Sequence, residues 1–447
     1  MPRKPPAKPN GSRIAAISVC GYKSIFEKRR IELRPLTLLA GANSSGKSSM
    51  IQPLLLLKQT LQTSHDPGPL LLDGPNVHLT SVDQLLSRTK GRLCASEFSV
   101  GLEAGDGSRV ELTFFRGSRE KGIGLRSMSY SNGRSESGTL LPNMSAEQIW
   151  QVLPPPARHF YEMVAKEQKA TVQLEVAQSR CFLYVDVALR RAEAPELVHF
   201  PPMSPLFPLD AGIRRVIHLP GLRGNPERTY PRTAGGPDFV GVFQTYVASI
   251  VAQWQEARDK SRLKDLALTL EGLGLTWTVK AKRVDDTQVE LEVGRLPHGQ
   301  RGGAYDLVSI ADVGFGVSQT LPVLVALLVA RPGQIVYLEQ PELHLHPRAQ
   351  TRLASVLAEA ARRQVTVVAE THSALLLRSV QTLVANGELS PDLIKLHWFR
   401  RREDGATEVD STDLDERGRF EKGWPQDFDE VALTVDSDYL DAVEAHQ

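Results

Sequence analysis

Gly41-Ala42-Asn43-Ser44-Ser45-Gly46-Lys47-Ser48 fits G-x-x-x-x-G-K-S/T, the pattern of a loop that cradles phosphates. Its surroundings fit the same reading. Leu36-Thr37-Leu38-Leu39-Ala40 reads as a buried strand entering the loop, and Met50 to Leu61 as the helix leaving it. Pro53 is expected near the start of that helix, where its missing N–H costs least. Gly41 and Gly46 permit backbone turns that a Cβ would hinder. The loop amides and the helix N-terminus then point at phosphate oxygens, with Asn43, Ser44, Ser45 and Ser49 completing the nucleotide contacts. Lys47 is placed to neutralise the β- and γ-phosphates, and the Ser48 hydroxyl to bind Mg²⁺. A chance Gly/Ser-rich turn is the competing reading, and it does not require the flanking strand and helix.

Bulk properties narrow the setting. A chain of 447 residues suffices for two or three domain-sized units. At 41% hydrophobic and 23% charged residues the composition is that of a soluble globular protein. A formal net charge of +1 singles out no partner, so any nucleic-acid surface must be a local patch. Cys20, Cys94 and Cys181 are few and widely spaced, which indicates neither a disulfide framework nor a CxxC metal site and suits a reducing, cytoplasmic setting. No apolar run reaches the length of a membrane span. Residues 1–13 are basic and Pro-rich without an apolar core, and read as a disordered tail rather than a secretory signal.

From the phosphate loop outward, the chain alternates in character. Ile14 to Val19 and Arg30 to Leu33 read as strands around the Gly21-Tyr22-Lys23-Ser24 turn. Ser81 to Leu86 starts a short helix that carries Gln84. Phe98 to Leu102 and Val110 to Phe115 flank Ala104-Gly105-Asp106-Gly107, a hairpin signal, and Gly124 to Tyr130 with Ser137 to Leu141 read as a second hairpin. Helices are expected over Ser145 to Val152 and Ala157 to Gln168, and strands over Thr171 to Val176 and Phe182 to Leu189. Pro195 to Pro208 reads as loop, Arg214 to Leu219 as a strand, and Phe239 to Arg258 with Leu263 to Leu273 as helices. The last part is α/β. Ala311 to Gln319 leads into an apolar helix over Thr320 to Ala330, and the buried strands Gln334 to Leu338 and Val365 to Ala369 alternate with helices over Pro347 to Arg363 and Ser373 to Val384. Such alternation implies a mostly parallel sheet covered on both faces.

The second half of the site follows from strand ends. Ile335-Val336-Tyr337-Leu338-Glu339 is an apolar strand ending in a carboxylate, where a nucleotide hydrolase places the ligand to its Mg²⁺ and water. Glu342 and Leu343-His344-Leu345-His346-Pro347 come next, and a later strand ends in Ala369-Glu370-Thr371-His372-Ser373. Preceding both is Asp312-Val313-Gly314-Phe315-Gly316-Val317-Ser318-Gln319. This order resembles the ATP-binding cassette superfamily, and more narrowly the soluble ATPases related to OLD, RecF and SMC proteins. The cluster Glu339-Gln340-Pro341-Glu342-Leu343-His344-Leu345-His346-Pro347 with Glu370-Thr371-His372-Ser373 resembles the stand-alone AAA-type ATPases of bacterial anti-phage modules such as Septu. Pro220 to Tyr230 and Trp424-Pro425 also look like that group.

The resemblance implies an α/β cassette head with a mostly parallel sheet flanked by helices, an antiparallel β lobe and a mixed α/β insertion. The implied boundaries are 14–143 for the N-terminal half of the head, 144–300 for the insertion and 301–447 for the C-terminal half. It further implies ATP and Mg²⁺ as cofactors, with Ser48 and Glu339 holding the metal. His372 would be a switch histidine on the γ-phosphate. Gly314, Gly316, Ser318 and Gln319 would form a signature segment reaching the ATP of a second copy, so that a homodimer clamps two nucleotides. Gln84 takes the Q-loop place by position alone. The Gly314 segment is otherwise a helix start with flexible glycines.

One departure bears on the chemistry. In these cassettes the base directly follows the Mg²⁺ ligand, and here that place holds Gln340, an amide with no useful basicity near neutral pH. Glu342 is the nearest carboxylate to orient the water, and its competing role is to cap or charge-complement the helix that begins near Pro347. His344 and His346 read as packing residues of the loop rather than a metal pair.

Two expected pieces are missing from the sequence. The interval from Ser49 to Ala311 carries no heptads, so no long coiled-coil arm is expected. The stretch after His372 is too short for the nuclease domain of OLD proteins, and Asp436-Ser437-Asp438 reads as solvated charge. DNA cutting would therefore fall to a partner. The middle region is the expected partner or DNA surface. Its Arg190, Arg191, Arg214, Arg215, Arg223, Arg228 and Arg232 suit phosphate contacts, while Arg223 and Arg228 suit acidic groups of the same chain equally. The expectation is an ATPase that senses or regulates for an effector nuclease or toxin, with no membrane partner. Its rivals are a slow, ATP-dependent assembly scaffold and a RecF-type DNA-repair ATPase.

Overall fold

A computed structural model describes residues 13–423 apart from 91–94, 118–121, 134–136, 192–196, 202–206, 234–235, 237, 297 and 300–305. The basic tail before residue 13, Cys94, Trp424-Pro425 and Asp436-Ser437-Asp438 lie outside the described residues. The chain is mixed α/β and divides into two units. One comprises residues 1–32, 48–216 and 402–407, the other 33–47, 217–401 and 408–447.

The first unit holds a six-stranded sheet and a three-stranded one. In the larger sheet Ile14–Cys20 pairs antiparallel with Arg29–Glu32 and with Glu97–Ala104, and the two expected hairpins continue the meander through Arg109–Arg116, Ile123–Ser131 and Ser137–Leu140. In the smaller, Ala170–Ser179 and Phe182–Arg191 form a long antiparallel pair. A helix over Phe207–Arg214 replaces the start of the strand expected from Arg214, and the strand itself shortens to Ile217–Leu219. The neighbouring prolines concealed that helix from a reading of propensity.

The second unit is built on the parallel sheet that the sequence implied. Its order is Ile217–Leu219, Ile335–Glu339, Thr366–Thr371, Leu36–Gly41, Ile394–Arg401, Thr407–Thr412, and the first five are mutually parallel. Every residue of Leu36–Gly41 and of Thr366–Thr371 is buried, which is why neither strand shows the apolar–polar alternation of a half-exposed one. Leu36, Leu38, Val336, Leu338, Val367 and Ala369 join Leu324, Leu353, Leu357 and Leu376 from the helices in one core. A small antiparallel sheet of Tyr230–Pro231, Val279–Arg283, Gln288–Gly294 and Leu307–Ser309 completes the unit.

Several helix starts differ from expectation: the helix expected from Phe239 begins at Val247, after a 3-10 turn over Phe243–Tyr246, and the one expected from Leu263 begins at Lys260. The helix after the phosphate loop begins at Lys47, so Pro53 sits in its second turn instead of its first. The apolar helix begins at Phe315, not Thr320, so Gly316, Ser318 and Gln319 lie inside it. Low glycine propensity hid that start, and tertiary burial overrode it. It contains Pro322, which withholds the N–H that would bond the Ser318 carbonyl. Among the described residues, no helix is long and apolar enough to cross a membrane.

Candidate functional site

The carboxyl ends of neighbouring parallel strands assemble the site. Gly41 closes one strand with φ 144°, and a Cβ there would lie 2.3 Å from the Phe399 carbonyl oxygen, so only glycine lets the next strand pass so close. Gly46 has φ 104° and Ser44 φ 59°, backbone states that curl the loop. The Arg401 guanidinium holds the Ser44 carbonyl at 2.8 Å. Lys47 is buried, and its Nζ donates to the Gly41 and Ala42 carbonyls at 3.0 and 2.9 Å. Burial pulls the Lys47 pKa below the ordinary lysine range, against the opposing pull of Glu370 and Glu342. The ammonium is thus presented beside two carboxylates and inside the loop. Ser48 and Ser49 follow in the first turn of the helix.

Register brings the acidic strand end to the same level. Glu339 pairs with Glu370 across adjacent strands, and Glu370 in turn pairs with Leu39 of the loop strand. His218 Nε2 lies 2.9 Å from Glu339 Oε1, and the Gly221 amide donates to Glu339 Oε2 at 3.3 Å. Burial alone would raise the Glu339 pKa, but His218, the Gly221 amide and Arg223 outweigh it and hold this carboxyl below the usual range. The His218 ring stacks on Tyr337, whose hydroxyl donates to Glu370. Sequence reading passed over His218 because its partner lies 121 residues away.

Gln340 has φ 44°, a left-handed turn that is costly for a side-chain-bearing residue and is commonest at functional sites. The Gln340 amide bonds the Glu370 carbonyl at 2.9 Å, and two residues on Glu342 meets the end of the Thr366–Thr371 strand. Glu342 is 7% exposed. Its Oε1 accepts the Thr371 hydroxyl at 2.7 Å and the His372 amide at 3.0 Å. Its Oε2 is buried without a hydrogen-bond partner. The helix at Pro347 is capped by His346, whose Nδ1 accepts from the Arg348 amide, so Glu342 is not the cap of that helix. His344 packs on Phe315, its ring centre 5.8 Å away.

Asn43, Gln340, Glu342, His344, Gln350 and His372 line one cleft of about 540 Å³. His372 is hydrogen-bonded to the Gly41 backbone, and burial together with Lys47 pushes its pKa down. Asn43 of the loop, His372 and Glu342 with its unpartnered Oε2 share this cleft, and the buried Lys47 belongs to the same loop. That donor set fits a nucleoside triphosphate with a hard cation. No group of three or more His, Cys, Asp or Glu side chains suited to a metal occurs among the described residues.

The remaining expected residues fall elsewhere. Gly314 is the N-cap of the Phe315–Val329 helix, and the Ser318 hydroxyl bonds back to the Phe315 carbonyl. Gln319 is buried and its amide donates to the Gly224 carbonyl at 2.7 Å, so its side chain serves the inside of its own chain. Gln84 is exposed in the other unit, and its amide bonds both the backbone and the hydroxyl of Thr80. Arg223 and Arg228 both bind their own chain. Arg228 pairs with Asp312 at 2.8 Å. Arg223 is buried and donates to the Gln319 and Glu339 carbonyls at 3.1 and 2.9 Å, and burial lowers its pKa to about 10.

Residues 36–378 match the family described as "AAA domain, putative AbiEii toxin, Type IV TA system", and the chain belongs to that family. The matched span contains the loop, both acidic strand ends and His372. No curated protein matches the chain. Among solved structures it is similar to the SmcHead bound to the C-winged helix domain of ScpA, at 12% identity over 90% of this chain and 98% of that one, with a TM-score of 0.46. It is also similar to the SMC head domain from Thermotoga maritima, at 10% identity over 90% and 100%, with a TM-score of 0.38. A third is the Smc head with an extended coiled coil bound to the C-terminal domain of ScpA from Pyrococcus furiosus, at 11% identity over 90% and 96%, with a TM-score of 0.43.

Proposed function

We propose that this protein binds ATP with Mg²⁺, hydrolyses it with Glu342 as general base, and dimerises around the nucleotide. The carrying observation is the buried Glu342 Oε2, which has no partner and belongs to a residue lining the cleft with His372. A buried carboxylate oxygen left unpaired is costly, and a bound water is what it would accept from. Ser48 and Glu339 would hold the Mg²⁺, whose contribution is to neutralise charge on the phosphates. Lys47 would leave the Gly41 and Ala42 carbonyls for phosphate oxygens. Gly314, Gly316 and Ser318, at the start of their helix, would meet the second copy's nucleotide. The test is Mg²⁺-dependent phosphate release by the purified chain, which Lys47→Ala should abolish.

On this reading the ATPase regulates an effector nuclease or toxin in anti-phage defence. Support comes from the family's toxin–antitoxin description and from an exposed apolar patch in the 144–300 region. Phe160, Met163, Leu197 and Val198 are each more than two-fifths exposed there, and Phe160 and Tyr161 both pack on Phe200. Cells carrying the locus should resist phage, and Lys47→Ala should remove the resistance. Gln340 in the usual base position favours the second reading, a scaffold that holds ATP with little turnover. Turnover that stays near background in the presence of effector would select it.

A further inference from the structure

We propose that Thr371 is the positioning residue for the general base, committing the basicity of Glu342 to one oxygen. This rests on the reading of Glu342 above. The Thr371 Oγ1 accepts the Ser373 amide at 2.9 Å. Its single proton is therefore free to go only the other way, to Glu342 Oε1 at 2.7 Å. The same Oε1 also receives the His372 amide at 3.0 Å. With two donors on it, Oε1 has no room to take a proton as well. Proton transfer is left to Oε2, the oxygen without a partner.

The support is itself braced. The Ser373 hydroxyl donates to Gln350 Oε1 at 2.8 Å and accepts the Leu376 amide at 3.1 Å, fixing the start of the next helix. Thr371 is fully buried, so water does not compete for its hydroxyl. The step it serves balances as follows. A water oxygen forms a bond to the γ-phosphorus, its proton passes to Glu342 Oε2, and the bond from that phosphorus to the bridging oxygen breaks with its electron pair leaving on ADP. A carboxylate free to rotate would offer either oxygen, and neither would stay aimed at the water.

Thr371→Val keeps the shape and removes the donor. It should lower kcat for ATP about tenfold, leave KM and the equilibrium affinity for a fluorescent ATP analogue within about twofold, and be rescued by Thr371→Ser. In a Glu342→Gln background, Thr371→Val should cause no further fall in single-turnover rate. Wild-type kcat in Thr371→Val, failure of the serine to rescue, or an equal fall in both backgrounds would each overturn the proposal. If the valine variant does not fold, Thr371→Ala carries the same cycle. Failure of the underlying reading shows separately, as wild-type turnover in Glu342→Gln alone.

Discussion

His218 Nε2 stands 2.9 Å from Glu339 Oε1, a contact between the edge strand Ile217–Leu219 and the acidic end of its neighbour. The histidine side chain is 4% exposed and held flat against Tyr337. An outer partner of this kind fixes the direction of the carboxylate it touches. His218→Leu is therefore expected to raise the Mg²⁺ concentration needed for half-maximal nucleotide binding by roughly tenfold. A Mg²⁺ titration followed by nucleotide fluorescence checks it, and an unchanged midpoint would show that Glu339 holds its place unaided.

Glu342→Gln keeps the shape of the side chain and removes its basicity. Turnover should fall by roughly tenfold or more, the low end for loss of a general base, while ATP affinity survives. Gln340→Glu places a carboxylate at the usual base position. Because Glu342 carries the contacts to Thr371 and His372, this substitution should not restore turnover to Glu342→Gln. Phosphate-release assays on the two single variants and the double variant decide it.

Gly41→Ala tests the packing of the loop independently of nucleotide. The added Cβ meets the Phe399 carbonyl at 2.3 Å in a backbone state, φ 144°, that other residues avoid. A loss of about 1–3 kcal/mol or more is expected, read as a lower melting temperature of the nucleotide-free protein.

Asp413 should carry part of the acid sensitivity of the fold. Its burial favours the neutral form, but Lys395 and Arg34 outweigh that and hold its pKa below the usual aspartate value. A depressed carboxyl pKa contributes stability that is present above the unfolded pKa and lost as pH falls through the folded one. Asp413→Asn should therefore destabilise the protein at neutral pH and leave its stability less dependent on pH in the acid range. Denaturant midpoints from pH 7 downward measure this.

The exposed Phe160 and Met163 give the proposed partner surface a direct check. Phe160→Asp with Met163→Asp should leave ATP turnover within about twofold, since surface changes rarely disturb a fold, and abolish phage resistance in cells. Retained resistance would move the effector surface elsewhere.

How legible the molecule was in its sequence depended on the range of the interactions involved. The loop, the apolar strands ending at Glu339 and Thr371, and the helices between them are local patterns, and the structure has them within a few residues. The start at Phe315 was obscured because glycines depress helix propensity, and the start at Lys47 because the motif and the helix overlap. The shell around the carboxylates was not legible. His218 and Thr371 are ordinary residues until folding brings them against Glu339 and Glu342, and only the register of a parallel sheet does that. That Gln340 is an amide is plain in the sequence, but its left-handed backbone has no signature there.

Mass in solution is the most direct test of an ATP-driven clamp. Light scattering on Glu342→Gln, as ATP and Mg²⁺ are added, should show the 49.3 kDa chain shift to twice that mass, and Lys47→Ala should abolish the shift. A mass that stays at the single-chain value with nucleotide bound would contradict the account.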